Sequence, residues 1–350
     1  MTGIHNANGQ LVALVRGRGW SPNEMNREYR TSQSHIFLNV YLNPQNPSNG
    51  LKIVQEQLGQ VREALGEDSY SLHYTLIGAN TNGSLCNKTD HAGVCSMLNH
   101  FQRANEEVTL SELHKHCQAN PNDVVTYLHN KGSFHSSPQN NRLRRMNTKA
   151  ALSNECRSIG RDDMTCNVCS LRFQSLPHSH VCGNMWTAKC DYIQGLVSPL
   201  EYESWRREMC RTVVTSYQKQ SFCPPSVENI TDSRDHGLGR FAMERWIASH
   251  PRMAPCEVFR NAPMRLFSTG WETWIPNRTV AKKEHRRFSD LQRSNLQMQV
   301  HEYTFVYGAK EPTSGFCENY FSKLGSNPCP RPHEAFLNAT IDYRVKKKIE

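Results

Sequence analysis

The chain has 350 residues, a formal net charge of +9, 37% hydrophobic residues and a mean hydropathy of −0.67. No run of 18 or more apolar residues occurs, so no segment reads as a membrane span. The basic residues gather in short groups, Arg142, Arg144 and Arg145 and then Lys282, Lys283, Arg286 and Arg287, with acidic residues spread between them. A nucleic-acid protein needs a continuous basic face with interleaved aromatics. The charge therefore points to an anionic ligand such as a diphosphate rather than to DNA or RNA.

The first 32 residues read as an amino-terminal extension, and MTGIHNANGQ lacks the basic start and apolar core of a signal peptide. HIFLNVYL (35–42) is predicted as the first strand, and NPQNPSNG after it as a turn. Leu51, Val54, Leu58, Val61 and Leu65 then recur at steps of three and four and define one face of a helix. SYSLHYTLIG (69–78) reads as a second strand. A polar stretch and a short helix near Leu110, Leu113 and Cys117 lead to a third strand, VVTYLH, beginning at Val124. Strand, helix, strand, helix, strand predicts an α/β domain with a mainly parallel sheet.

A basic helix is expected around Leu143, Met146 and Ala150. LPHSHVCGNMW (176–186) reads as a further sheet-edge segment. In SPLEYESWRREM, Ser198 suits a cap, Pro199 the first helical position and Glu201 a capping box, so Glu201 has a structural role. A last helix is predicted in GRFAMERWIAS from about Gly239. Residues 33–260 are thus read as one domain, and 261–350 as an irregular extension or lid.

Chemistry gathers first at the end of the Val124 strand, in His129-Asn130-Lys131-Gly132. Open α/β sheets place ligands at the carboxyl ends of their strands. Lys131 can meet a phosphate as a point charge, His129 can donate a hydrogen bond or a proton, and Gly132 allows close backbone approach. Two potential cations would repel a divalent metal, so none is expected here. A plain loop with Lys131 in solvent fits the same residues. Gly183, Asn184 and Trp186 offer close approach, an amide for adjacent hydroxyls and an aromatic face for a sugar. They suit equally a buried strand with a packed tryptophan and a capping asparagine.

Cysteine usage adds a rival. Cys166-x-x-Cys169, followed by His178, His180 and Cys182, could hold a tetrahedral zinc, or these cysteines could be disulfides or buried thiols. Thirteen cysteines, with five N-x-S/T sequons at Asn82, Asn87, Asn229, Asn277 and Asn338, point toward the secretory lumen, Golgi or ER.

Taken together, YLHNKGS, the basic helix after it and the string His178-x-His180-x-x-Gly183-Asn184-x-Trp186-x-Ala188 resemble GT-A glycosyltransferases related to the rhamnan-synthesis type. The resemblance takes in residues 33 to 256 or so, with IFLNVYL and TLIG before the motifs and HGLGRFAMERWIASHP after them. It departs at Asn130, where threonine is usual, at Val181-Cys182, and at Thr187, where a second tryptophan is usual. It implies a GT-A-like fold and transfer of a sugar from a nucleotide diphosphate to a glycan or protein acceptor. His129, Lys131 and Gly132 would form the donor site, with the two cations in place of a metal, and His178, Gly183, Asn184 and Trp186 a sugar-binding edge. Arg240 and Glu244 lie four residues apart, and Glu244 could act as base toward the acceptor hydroxyl. The same two residues would also make an ordinary exposed helical ion pair. The alternative to an enzyme is a non-catalytic lectin-like or zinc-stabilised binding protein.

Overall fold

The computed structural model describes residues 34–258, apart from 67–69, 81–84, 86–93, 135, 161–165, 172, 175–179, 213–222, 225, 234–235 and 251–252. The sequons other than Asn229, the proposed lid and the amino-terminal extension lie outside the described residues. The chain divides into two compact units.

The first unit carries a seven-stranded sheet. Its parallel half is β1 (Ser34–Leu42), β2 (Tyr70–Gly78), β3 (Val94–Phe101) and β4 (Val124–His129). To this are added β8 (Trp186–Lys189), antiparallel to β4, and then β5 (Val168–Ser170) and β9 (Pro255–Glu257), in the order β3-β2-β1-β4-β8-β5-β9. Two further short strands, β6 (Phe173–Gln174) and β7 (His180–Val181), pair apart from this sheet. The fold is α/β with a mostly parallel sheet, as the alternating pattern predicted.

β1 shows why the sheet is buried on both faces. Its even side chains Ile36, Leu38, Val40 and Leu42 join Val54, Leu58 and Val61 of α1 (Pro47–Leu65) in the main core. Leu51 and Leu65, placed on the same face by the periodicity, pack at its margin, while Ile53 is buried as well. The odd side chains face α2 (Glu107–Ala119): Asn39 accepts a 2.7 Å bond from Thr109, and Phe37 lies beside His116. Strands covered on both faces need no polar alternation, and β1 reads as an apolar run; β2 is buried as well although its sequence alternates apolar and polar residues.

β3 was not expected, since its residues fell within a polar stretch. It is an edge strand, with Val94 and Met97 exposed and no continuous apolar signal. Beyond β4 come α3 (Pro138–Ala151), which covers the face shared with α1, then α4 (Asn154–Arg157) and, after β8, α5 (Cys190–Ile193).

Disulfides close this frame. Cys117 at the end of α2 bonds Cys190 at the start of α5, Cys156 bonds Cys169, and Cys166 bonds Cys256. In the chain-entropy account, loops of 73 and 90 residues gain about 4–5 kcal/mol each and the 13-residue loop about 3. Cys166 and Cys169 are therefore not a metal-binding pair: each sulfur is bonded to a different cysteine and cannot serve as a thiolate ligand. Bonded cysteines are compatible with an oxidising compartment. No helix among the described residues is long and apolar enough to cross a membrane.

The second unit holds α6 (Pro199–Thr212) and α7 (Ala242–Trp246) around Tyr202, Met209 and Trp246, with Cys210 bonded to Cys223. Pro199 opens α6 as predicted. The helix expected from Gly239 is shorter than its pattern suggested: residues 239–241 make a 3-10 turn and α7 follows.

Candidate functional site

β1 has β2 on one side and β4 on the other, so the strand order reverses between β1 and β4. Ligand crevices of open α/β sheets form at such a reversal, outside the carboxyl ends of the strands. The His129–Gly132 tip leaves the sheet there.

Each residue of the tip is held differently. Asn130, 3% exposed, spends its whole amide on the backbone of Tyr41, accepting from its N–H at 2.8 Å and donating to its carbonyl at 2.8 Å. It thereby extends the β1–β4 pairing by one side chain, with its donor and acceptor on separate atoms, whereas threonine carries both on one oxygen. Gln57 of α1 donates to the His129 carbonyl at 3.0 Å. Arg144 of α3, 1% exposed, donates to the Lys131 carbonyl at 2.9 Å and pairs with Glu56 at 3.2 Å. Arg145 also bonds Glu56, and both guanidiniums hold that carboxyl below its usual range, the Arg145 bond leading. The basic group of the sequence is thus partly internal: Arg144 secures the tip, and Arg142 is exposed. Gly132 sits at φ +94, which an L side chain rarely adopts, and turns the chain toward Ser137, whose side chain caps α3.

His129 is fixed at both nitrogens. Nδ1 lies 3.1 Å from Glu106 Oε1, and Nε2 lies 2.8 Å from the Gly183 carbonyl. Both partners are acceptors. Glu106, the residue preceding α2, also accepts from Tyr127 Oη at 2.9 Å and from Asn184 Nδ2 at 2.6 Å. Burial raises the Glu106 carboxyl, but His129, Tyr127 and Asn184 together outweigh burial and hold it below the usual range. Burial and the adjacent Glu106 push the Tyr127 phenol well up.

The Gly183–Asn184 turn closes the network. Gly183 has φ +78, and a Cβ there would lie 2.3 Å from Asn147 Nδ2. Asn184 follows at φ 45, an unusual conformation for a residue other than glycine, which asparagine tolerates best. Its amide donates to Glu106, and its oxygen accepts from Trp186 Nε1 at 3.0 Å. Asn184 and Trp186 are both 0% exposed, and Trp186 packs against Tyr127.

Several expectations change accordingly. Asn184 and Trp186 do not form a sugar-binding edge: they face inward, and the packed tryptophan with its bonded asparagine is what the structure contains. Both ring nitrogens of His129 are taken up by Glu106 and the Gly183 carbonyl. His178 lies outside the described residues. Arg240 and Glu244 belong to the second unit, where exposed Arg240 takes its backbone and side-chain contacts from Asp232 rather than Glu244.

Lys131 stands apart. Its backbone is bonded, yet its ammonium has no carboxylate partner among the described residues. Close by, Phe134 is 56% exposed and leans on Tyr41, ring centroids 5.8 Å apart. A fixed backbone thus presents one free cation and an aromatic pair. The builders of this arrangement, Glu106, Glu56, Arg144 and Gln57, carried no motif.

A family model matches residues 37–320, well over half of the chain. The chain belongs to the family described as Domain of unknown function (DUF8361). That match runs past residue 260, where the sequence suggested a domain limit. No curated protein and no solved structure matches the chain.

Proposed function

We propose that this protein is a GT-A-like glycosyltransferase, moving a sugar from a nucleotide diphosphate to a glycan or protein acceptor in the secretory pathway. The observation that carries the proposal is Lys131: an ammonium with no carboxylate partner among the described residues, on a backbone held by Arg144, at the strand-order reversal of an open α/β sheet. The topology supports a nucleotide crevice at this end. The motif resemblance supports the transferase class.

In this reading Lys131 meets the diphosphate and stabilises the negative charge that grows on it as the glycosidic bond breaks. A preorganised cation is effective there because it need not reorganise as the charge develops. His129 acts through the backbone, holding Lys131 in register by linking Glu106 to the Gly183 carbonyl. Gly132 lets the diphosphate approach the main chain, and the Tyr41–Phe134 pair offers a face on which a base can stack.

The test is a thermal-shift panel of nucleotides and nucleotide sugars, run with manganese and with EDTA. Selective stabilisation by one nucleoside diphosphate, unchanged by EDTA, is expected. A manganese-dependent response would retain the transferase but remove the cation-for-metal role of Lys131. No response to any nucleotide would favour a non-catalytic binding protein.

A further inference from the structure

The other end of the same sheet carries a second group of polar side chains. His35 starts β1, His116 lies in the last turn of α2, and Asp123 immediately precedes β4. Their candidate ligand atoms, one from each, all lie within 4.8 Å of one another. Both imidazole Nε2 atoms point to the same carboxylate oxygen: His116 at 2.9 Å and His35 at 3.6 Å from Asp123 Oδ2. Behind them His73 stacks on His35, ring centroids 5.8 Å apart, with its own Nδ1 2.9 Å from Ser96 Oγ.

Ordinary hydrogen bonding explains part of this group. His116 and Asp123 make a normal bond, but His35 does not take part. Its Nε2 is too far from Asp123 for a hydrogen bond, and its Nδ1 is buried with no partner. An ion held at Nε2 leaves Nδ1 unpartnered, and it is the Nε2 and Oδ2 atoms whose spacing suits a metal. Two ligand atoms about 2.0–2.1 Å from a tetrahedral zinc stand roughly 3.3 Å apart, and the two separations measured here fall on either side of that value.

The geometry points to a divalent metal site, with zinc the favoured ion, held by His35, His116 and Asp123. Two imidazoles and a carboxylate form a borderline donor set that suits zinc better than magnesium or calcium. The side chains are 18–29% exposed, so an ion can enter from solvent and water can complete the coordination. The ligands come from β1, the end of α2 and the residue before β4, so the ion would tie His35 to two residues more than 80 positions further along the chain. The role is structural, at the end of the sheet away from Lys131, and does not depend on the transferase reading.

The experiment uses the whole chain with its disulfides intact, stripped by chelator dialysis. Zinc alone is then titrated against a competing chromogenic chelator. Wild type is expected to take up one equivalent that Asp123→Asn and His116→Gln each bind on the order of a hundredfold more weakly, since losing a direct ligand costs no less than losing an outer-shell partner. Cobalt in the same site should show the strong visible bands of a tetrahedral ion, and these should vanish in the variants. If Asp123→Asn folds poorly, His35→Gln carries the test, because that side chain makes no hydrogen bond to lose. No uptake by wild type, or equal uptake and equal cobalt bands in all variants, overturns the proposal.

Discussion

The two ends of the sheet use polar residues in different ways. At the carboxyl end, His129, Glu106, Tyr127, Asn184 and Trp186 are bonded to one another, and Asn130 is spent on Tyr41. At the amino end, His35 is left without a hydrogen bond beside two potential metal ligands. The bonded residues fix the shape of the carboxyl end, although Gln57, Arg144 and Asn147 around them each keep a buried atom without a partner among the described residues, as His35 does at the amino end. In the proposed function it is what the network presents, the Lys131 ammonium, that meets the ligand.

The comparison breaks first if Glu106 does not bond the residues around it. Glu106→Ala should then be inexpensive, because few groups would lose a partner. Those bonds predict the reverse: removing Glu106 strands His129, Tyr127 and Asn184 together and should cost about 3–5 kcal/mol, read from urea denaturation. Gly183→Ala probes the same network through the backbone. A Cβ at φ +78 that meets Asn147 Nδ2 at 2.3 Å should cost about 2 kcal/mol.

The amino end is sharpened by pH. Burial, with His35 and His116 nearby, lowers His73 from 6.5 to about 4. As pH falls from 6.5 toward 4, the unfolded chain binds a proton at this residue before the folded chain does, so folding is weakened across that window. Measured in chelator, the urea midpoint of wild type should drop relative to that of His73→Asn over this range. Parallel profiles would show that His73 is not held neutral by its burial.

These contrasts explain how much was legible in the sequence. β1, α1 and β4 were readable because burial writes apolar runs and helical spacing, and β2 because its residues alternate apolar and polar. β3 was not, since an edge strand exposes residues such as Val94 and Met97 and interrupts the pattern. At the site, Lys131 and Gly132 were legible as types suited to phosphate. The direction of Asn184 and Trp186 was not. It depends on two successive positive φ angles, which residue identity permits but does not dictate. Glu106 was hidden for a related reason: its partners lie at 127, 129 and 184, and only the fold brings them together. Cys166 and Cys169 looked paired by spacing, yet bond to Cys256 and Cys156.

The smallest stability effect belongs to the most important side chain. Lys131→Ala removes no bond seen among the described residues, so its urea midpoint should stay within about 0.5 kcal/mol of wild type. The decisive measurement is calorimetric titration of the nucleoside diphosphate selected by the thermal-shift panel into wild type and Lys131→Ala, both in EDTA. The account predicts binding to wild type and at least a tenfold loss in the variant, with folding unchanged. Equal affinity in the two proteins would contradict it.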